Sequence, residues 1–161
     1  MAIVGSDRQR EYDRTTGIRN WNSPKHLAIV LLGQLRAEEA VRILGENLTY
    51  RVKPLVGGYE TQGIAEQFPA ARSLAQIGNP AVPAVMEKLR RTAESLQRHL
   101  YVWILTQVEG RDVARFRVKK AIKDCGPYTT WKANLEAAIE YFDNEDLDLA
   151  PPEEAESTEH K

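Results

Sequence analysis

The sequence predicts an all-α fold, a short right-handed α-solenoid of three helical hairpins followed by a C-terminal capping helix. The first observation behind this is an internal repeat, in which Leu-x-Gln is followed by Leu, Ile or Val within the segments 28–35, 70–77 and 101–108. The second is that each segment precedes a polar turn and another helical pattern, at 40–48, 81–89 and 113–122. One hairpin cannot bury its own apolar faces, and repeated two-helix units of this kind therefore stack on each other.

Proline and glycine mark where the helices of these units begin and end. Ser23-Pro24 predicts a capped start with proline at the first helical position, and Asn79-Pro80 predicts a second start of the same kind. Gly110 and the Cys-Gly-Pro segment at 125–127 are typical stop signals.

The last helix is expected at 129–142, where apolar side chains recur at helical spacing. Its apolar stripe, which includes Trp131 and Leu135, would cover Phe116 and Ile122 of the third hairpin. The predicted solenoid core consists of the equivalent apolar positions of the three units, namely Leu32, Leu35, Leu44, Leu48, Leu74, Ile77, Val85, Leu89, Leu105, Val108, Phe116 and Ile122.

The segment 74–85, with the sequence LAQIGNPAVPAV, resembles a HEAT repeat. More narrowly, it is similar to the short bacterial type related to phycobilin-lyase repeats. The resemblance is good across 70–89, fair across 28–48 and weak across 101–122. It implies an α-solenoid scaffold, and it implies fold more than activity because such scaffolds carry unrelated functions.

The length of 161 residues fits one domain with tails. The single cysteine, Cys125, excludes an internal disulfide framework and any CxxC site. No apolar run approaches the roughly 20 residues of a membrane span, and the N-terminus lacks the apolar stretch of a signal peptide, so we expect a cytoplasmic location. We divide the chain into a polar arm at 1–22, the solenoid at 23–142 with an insertion at 49–65, and a disordered acidic tail at 143–161.

The net charge of −1 hides a basic body and an acidic tail. The segment 143–161 carries a net charge of −7, and the residues before it carry +6. These opposite charges lead to the hypothesis that the tail transiently covers the basic face and competes with anionic partners. The alternative is a solvated tail that aids solubility.

No motif for catalysis, nucleotide binding or zinc binding occurs, since GxxxxGK, GxGxxG, GxSxG and HExxH are all absent. His26 and His99 lie in corresponding first helices, where we expect helix-surface or core-edge side chains rather than ligands. We therefore predict no enzymatic activity, no cofactor and no metal. The alternative is a HEAT-like DNA glycosylase or lyase, which has no motif behind it.

Basic residues at 88–123 are the strongest positive signal. Arg111, Arg115 and Lys119 recur every four residues and so lie along one side of a helix. The second helices of a HEAT stack line its concave face, where these residues would meet the bases of the second unit. The candidate partner-binding residues are Lys88, Arg91, Arg111, Arg115, Lys119, Lys120 and Lys123. The alternative is that these lysines and arginines are solvated, interact favourably with the helix dipole and bind no ligand.

The insertion at 49–65 reads as an ordered loop at the edge of the solenoid. Long loops on rigid scaffolds often carry binding, which makes Tyr50 and Tyr59 loop candidates. A tolerated insertion without a role is the alternative.

The leading functional hypothesis is a non-catalytic scaffold that binds a protein or an acidic peptide through its concave face. The alternative is a binder of nucleic acid or of a phosphate ligand through the basic face at 88–123. No membrane interaction is expected.

Overall fold

The computed structural model describes residues 23–52, 63–127 and 129–149, and it confirms the all-α prediction for these ranges. The helices are α1 (Pro24–Gln34), α2 (Val41–Glu46), α3 (Ile64–Gln67), α4 (Pro69–Ile77), α5 (Val82–Arg91), α6 (Ser95–Glu109), α7 (Arg111–Asp124) and α8 (Thr129–Phe142). Short 3-10 turns, Glu38–Ala40 and Asn79–Ala81, lead into α2 and α5. The predicted arm at 1–22, most of the insertion and the tail from 150 lie outside the described residues.

The helix boundaries follow the predicted cap and stop residues. The Ser23 side chain accepts a hydrogen bond from the His26 backbone N–H at 3.1 Å, and Pro24 occupies the first position of α1. Gly110 has φ +82° between α6 and α7, and Gly126 has φ +56° after α7. Both glycines adopt the left-handed region that side chains disfavour, which ends one helix and redirects the chain.

Helix α4 lies at the centre of the N-terminal half, in contact with α1, α2, α3 and α6. The approach of α1 is close because a Cβ atom at Gly33 would lie 2.6 Å from the Ser73 backbone. The Ser73 hydroxyl donates a hydrogen bond to the Ile29 carbonyl at 2.9 Å, so the polar side chain at this contact is paired. A larger residue at Gly33 would separate the two helices.

Helix α8 confirms the predicted boundaries and contacts more of the molecule than the third hairpin alone. It lies against α5 and α7 and also contacts α6. Leu135, Ala138 and Phe142 are buried in this packing, and Asn134 donates a hydrogen bond to the Arg90 carbonyl at 2.8 Å. The helix therefore contacts both the second and the third predicted units.

Most of the predicted core is confirmed. Seven of the predicted side chains are buried: Leu44, Leu48, Leu74, Ile77, Val85, Leu89 and Leu105. Three more are half-buried against the core: Leu32, Val108 and Ile122.

Two predicted core residues are wrong. Leu35 is 74% exposed because it caps the C-terminus of α1, where Arg36 turns the chain with φ +48°. Phe116 is 69% exposed because the buried row of α7 consists of Ala114, Val118 and Ala121. At about 100° per residue, Phe116 lies roughly 200° from both Ala114 and Val118 and faces solvent.

The first part of the predicted acidic tail, residues 143–149, packs against the helices, and we call it the C-terminal strap. Leu147 is only 1% exposed, and its carbonyl lies 2.8 Å from His99 Nε2. Asp148 accepts a hydrogen bond from Trp103 Nε1 at 2.8 Å, and its carbonyl accepts one from the Ile64 backbone N–H at 2.8 Å. The predicted boundary at 143 thus falls before an ordered segment.

None of the helices in the described ranges combines the length and the apolar character that crossing a membrane requires.

Candidate functional site

The seven predicted binding residues are divided between two helices. Lys88 and Arg91 lie near the C-terminal end of α5, and the other five lie along α7. Five of the seven are exposed and form no ion pair with any described residue: Lys88, Arg111, Lys119, Lys120 and Lys123.

Two of the three predicted arginines, Arg91 and Arg115, are neutralised by nearby carboxylates. Arg115 forms a two-point ion pair with Asp143 of the strap, at 2.9 and 3.0 Å. Arg91 pairs with Glu87, and its guanidinium lies 5.6 Å from the centre of the Trp131 ring. A guanidinium that is already paired has fewer N–H donors left for a ligand. These two arginines therefore contribute less to the predicted basic face than the unpaired lysines do.

Arg117 shows the same neutralisation in a stronger form. Its Nε donates a hydrogen bond to Glu109 at 2.8 Å, and a second nitrogen contacts the other carboxylate oxygen. The hydrogen bonds to Glu109, followed by the charge of that carboxylate, raise the pKa of Arg117. This arginine therefore serves a structural ion pair between α6 and α7.

A groove of about 400 Å³ lies between α5 and α7. It brings Arg90 of the second unit together with Lys120 of the third, as the sequence predicts for these helices. Glu87 and Asp124 line the same groove, so its charge is mixed. A mixed lining differs from the uniformly basic surface that phosphate groups favour.

The outer side of α7 carries an apolar centre with three lysines toward the C-terminal end of the helix and the exposed Asp112 one turn toward its N-terminal end. We call Val113, Phe116, Lys119, Lys120 and Lys123 the Phe116 surface. The two apolar side chains are 53% and 69% exposed, and Lys119, Lys120 and Lys123 follow Phe116 by three, four and seven residues. These spacings place all three ammonium groups on the helix side that Phe116 occupies.

The sequence interpretation missed this surface because it aligned Phe116 with core positions of the other repeats. The sequence did contain a signal for the correct orientation of α7. Ala114, Val118 and Ala121 form an alternative apolar row at helical spacing, and that row is the one buried.

A second concavity, which the sequence did not predict, lies between α2 and α5. We call it the Tyr101 groove. It measures about 380 Å³, and its lining is predominantly apolar, with Leu74, Val85 and Tyr101 at its base. Burial raises the pKa of Tyr101 to about 12, with a further contribution from the charge of Glu94. The phenol therefore keeps its proton at neutral pH.

The loop candidates have different outcomes. The Tyr50 hydroxyl lies 3.2 Å from the Ser23 hydroxyl, and Lys25 Nζ lies 4.5 Å from the centre of its ring. These contacts tie Tyr50 to the start of α1. Tyr59 lies outside the described residues.

Within the described ranges, no three His, Cys, Asp or Glu side chains lie close enough together to hold a metal ion. His99 is buried, and its Nε2 must donate to the Leu147 carbonyl, because a carbonyl can only accept. Desolvation by burial lowers the pKa of His99, although the hydrogen bond to Leu147 and the charge of Asp148 oppose that shift. Cys125 is buried at the end of α7.

Comparison with known proteins adds no relative to this description: no protein-family model, no curated protein and no solved structure matches the chain.

Proposed function

We propose that this protein is a non-catalytic peptide-binding module whose Phe116 surface binds an acidic segment of a partner protein. The fold we propose for it is a short right-handed solenoid of three HEAT-like hairpins. Support for the stacking comes from the contacts of α1 with α4 and of α4 with α6, the first helices of the three units.

The observation that carries the functional proposal is the exposure of Phe116 next to three exposed lysines. A phenylalanine buries roughly 150–250 Å² when a partner covers it, which makes it a suitable anchor. Lysines beside an apolar anchor contribute orientation and association rate more than affinity. An acidic segment with one bulky apolar side chain satisfies both parts of this surface.

Nucleic acid is the second candidate, and the same residues favour it. An exposed aromatic ring can stack on an unpaired base, while nearby lysines neutralise phosphates. Such binding would weaken steeply with salt because each neutralised phosphate releases counterions. An apolar anchor in a peptide complex is much less sensitive to salt, since burial of apolar surface does not depend on charge.

The test measures fluorescence anisotropy of two labelled probes, a short acidic peptide with one central phenylalanine and a short oligothymidylate, at low and physiological salt. We expect Phe116→Ala to weaken peptide binding by about 2 kcal/mol, or roughly 30-fold. Leu31→Ala is the matched control, because Leu31 is a 53% exposed leucine on α1.

The charges are tested with the double variant Lys119→Glu and Lys120→Glu. Lys132→Glu, on α8, serves as its control for a local charge reversal. Binding of the oligonucleotide with a steep salt dependence, together with no peptide binding, would select the nucleic-acid candidate. Equal loss of peptide affinity in Phe116→Ala and Leu31→Ala would contradict a role for the Phe116 surface.

A further inference from the structure

The Tyr101 groove has the dimensions of a binding site and lies away from the Phe116 surface. Ligand sites measure roughly 300–1,000 Å³ and combine an apolar lining with few polar groups. The groove measures about 380 Å³ and is bordered by side chains from α2, α4, α5 and α6. Val41, Gly45 and Ala84 form its sides above the buried base.

The Tyr101 hydroxyl is a hydrogen-bonding group without a partner among the described residues. Tyr101 is 3% exposed and borders the groove, yet its oxygen makes no hydrogen bond within the described part of the chain. The oxygen remains accessible from the groove, so water can satisfy it when the groove holds no ligand. A ligand atom that accepts a hydrogen bond from this hydroxyl would replace that water.

The charges at the rim indicate which kind of ligand fits. Arg42 pairs with Glu46 on the same helix, and Glu87 pairs with Arg91. Two exposed carboxylates remain at the 3-10 turn before α2, on Glu38 and Glu39, and neither has an ion pair with a described residue.

Lys88 is the remaining rim charge, and it lies in the second half of α5. The unpaired charge of the rim is therefore negative overall. It attracts a cation to the side of the groove that the 3-10 turn forms.

We propose that the Tyr101 groove binds a bulky apolar side chain of a partner peptide, with a neighbouring basic residue of that peptide contacting Glu38 and Glu39. In this arrangement, the Tyr101 hydroxyl donates a hydrogen bond to a carbonyl of the bound peptide. This site differs in charge and location from the Phe116 surface, so the proposal does not depend on the proposed function. Together, the two sites would let one small module join an acidic segment to a basic one.

Gly45 allows the groove to be closed without disturbing the core. A Cβ atom at this position of α2 meets nothing within 4 Å, although the residue borders the groove. Gly45→Trp places an indole over the groove, and Gly45→Ala is the matched control that adds only a methyl group. Both variants remove a helix-destabilising glycine, so we expect both to fold.

The experiment is isothermal titration calorimetry of the full chain with three peptides, in which a central tryptophan is flanked by arginines, by glutamines or by glutamates. We expect the arginine peptide to bind best. Gly45→Trp should weaken that binding at least tenfold, while Gly45→Ala should leave it unchanged. Tyr101→Phe should weaken it severalfold, because the phenyl ring keeps the shape of the groove and loses the donor.

The charge of the rim is tested with the double variant Glu38→Gln and Glu39→Gln, which should reduce the affinity for the arginine peptide to that for the glutamine peptide. Phe116→Ala should change none of these values, which separates this proposal from the preceding one. The proposal is overturned if Gly45→Trp, folded by circular dichroism, binds the arginine peptide as tightly as the unmodified chain. Binding of the apolar dye anilinonaphthalene sulfonate without binding of any peptide would also overturn it.

Discussion

The hairpin formed by α4 and α5 and the segment from α7 to the strap differ in what decides burial. In α4 and α5, the bulky apolar residues of the repeat are buried, as Leu74 and Leu89 show. In α7, two alanines and a valine face the core, while Phe116 faces solvent. The strap, which is acidic, buries Leu147.

The size of an apolar side chain predicts burial only where one helix face is clearly apolar. Helices α4 and α5 each have one clearly apolar face, and neighbouring helices pack against that face. Helix α7 has two faces that are each only partly apolar. Helices α6 and α8 pack against the face with the smaller residues. Small residues at a helix contact let the neighbouring helices approach closely.

The largest effect is expected from Leu74→Ala, in the hairpin where sequence and structure agree. Leu74 is fully buried on α4 and also borders the base of the Tyr101 groove. Truncation should lower the free energy of unfolding by about 2–5 kcal/mol, through lost burial and a residual cavity. Urea denaturation followed by circular dichroism measures this change, and an unaltered midpoint would show that the core lies elsewhere.

The next largest effect is expected in the strap. Leu147→Ala should lower the free energy of unfolding by about 2–3 kcal/mol, because its side chain is as buried as a core leucine. Leu149→Ala is the matched control, since Leu149 is 41% exposed two residues further on. If both truncations have the same small effect in urea denaturation, the strap contributes no burial and the comparison between the two regions fails.

Acid should lower the stability of the fold through its two buried histidines, His26 and His99. Burial lowers the pKa of His99 below its ordinary value of 6.5, and burial together with the charge of Arg72 lowers that of His26. The unfolded chain therefore binds more protons than the folded chain just below pH 6.5, so stability is lost as the pH falls through that region.

Thermal denaturation between pH 7.5 and pH 5 measures this effect. His99→Gln should reduce the pH dependence while leaving the contribution of His26, since a glutamine amide can still donate to the Leu147 carbonyl. A pH profile identical to that of the unmodified chain would show that His99 does not titrate differently on folding.

The smallest effect is expected from Phe116→Ala, in the helix where the bulky apolar side chain faces solvent. Because Phe116 is exposed, its truncation should change the free energy of unfolding by no more than about 0.5 kcal/mol. The same urea denaturation used for Leu74→Ala measures it. A decrease of several kcal/mol in the free energy of unfolding would instead show that Phe116 is buried in the core, as the repeat pattern predicts.

The sequence predicted the helices and most of the core because these depend on local signals. Ser23, Pro24 and Gly110 act through their own backbone, and the apolar rows of α4 and α5 recur within one helix. The basic residues of the candidate site were also found, since lysine and arginine are visible in any sequence.

The remaining features depend on how distant segments meet. The Tyr101 groove needs four helices and the turn before α2 in contact, and no single segment contains its pattern. The neutralisation of Arg115 depends on Asp143, which lies on the strap. The exposure of Phe116 depends on which face of α7 the neighbouring helices cover.

The strap also has a consequence for the order of folding. Ile64 reaches its hydrogen-bond partner, the Asp148 carbonyl, only after more than half of the chain has been synthesised beyond it. Contacts of such long sequence separation slow folding, and a chain emerging from the ribosome must complete its helices before this one can form. We therefore expect the strap to be unformed in the folding transition state, so that Leu147→Ala speeds unfolding far more than it slows refolding. The strap would then control the unfolding rate of the protein, and with it the lifetime of the folded state.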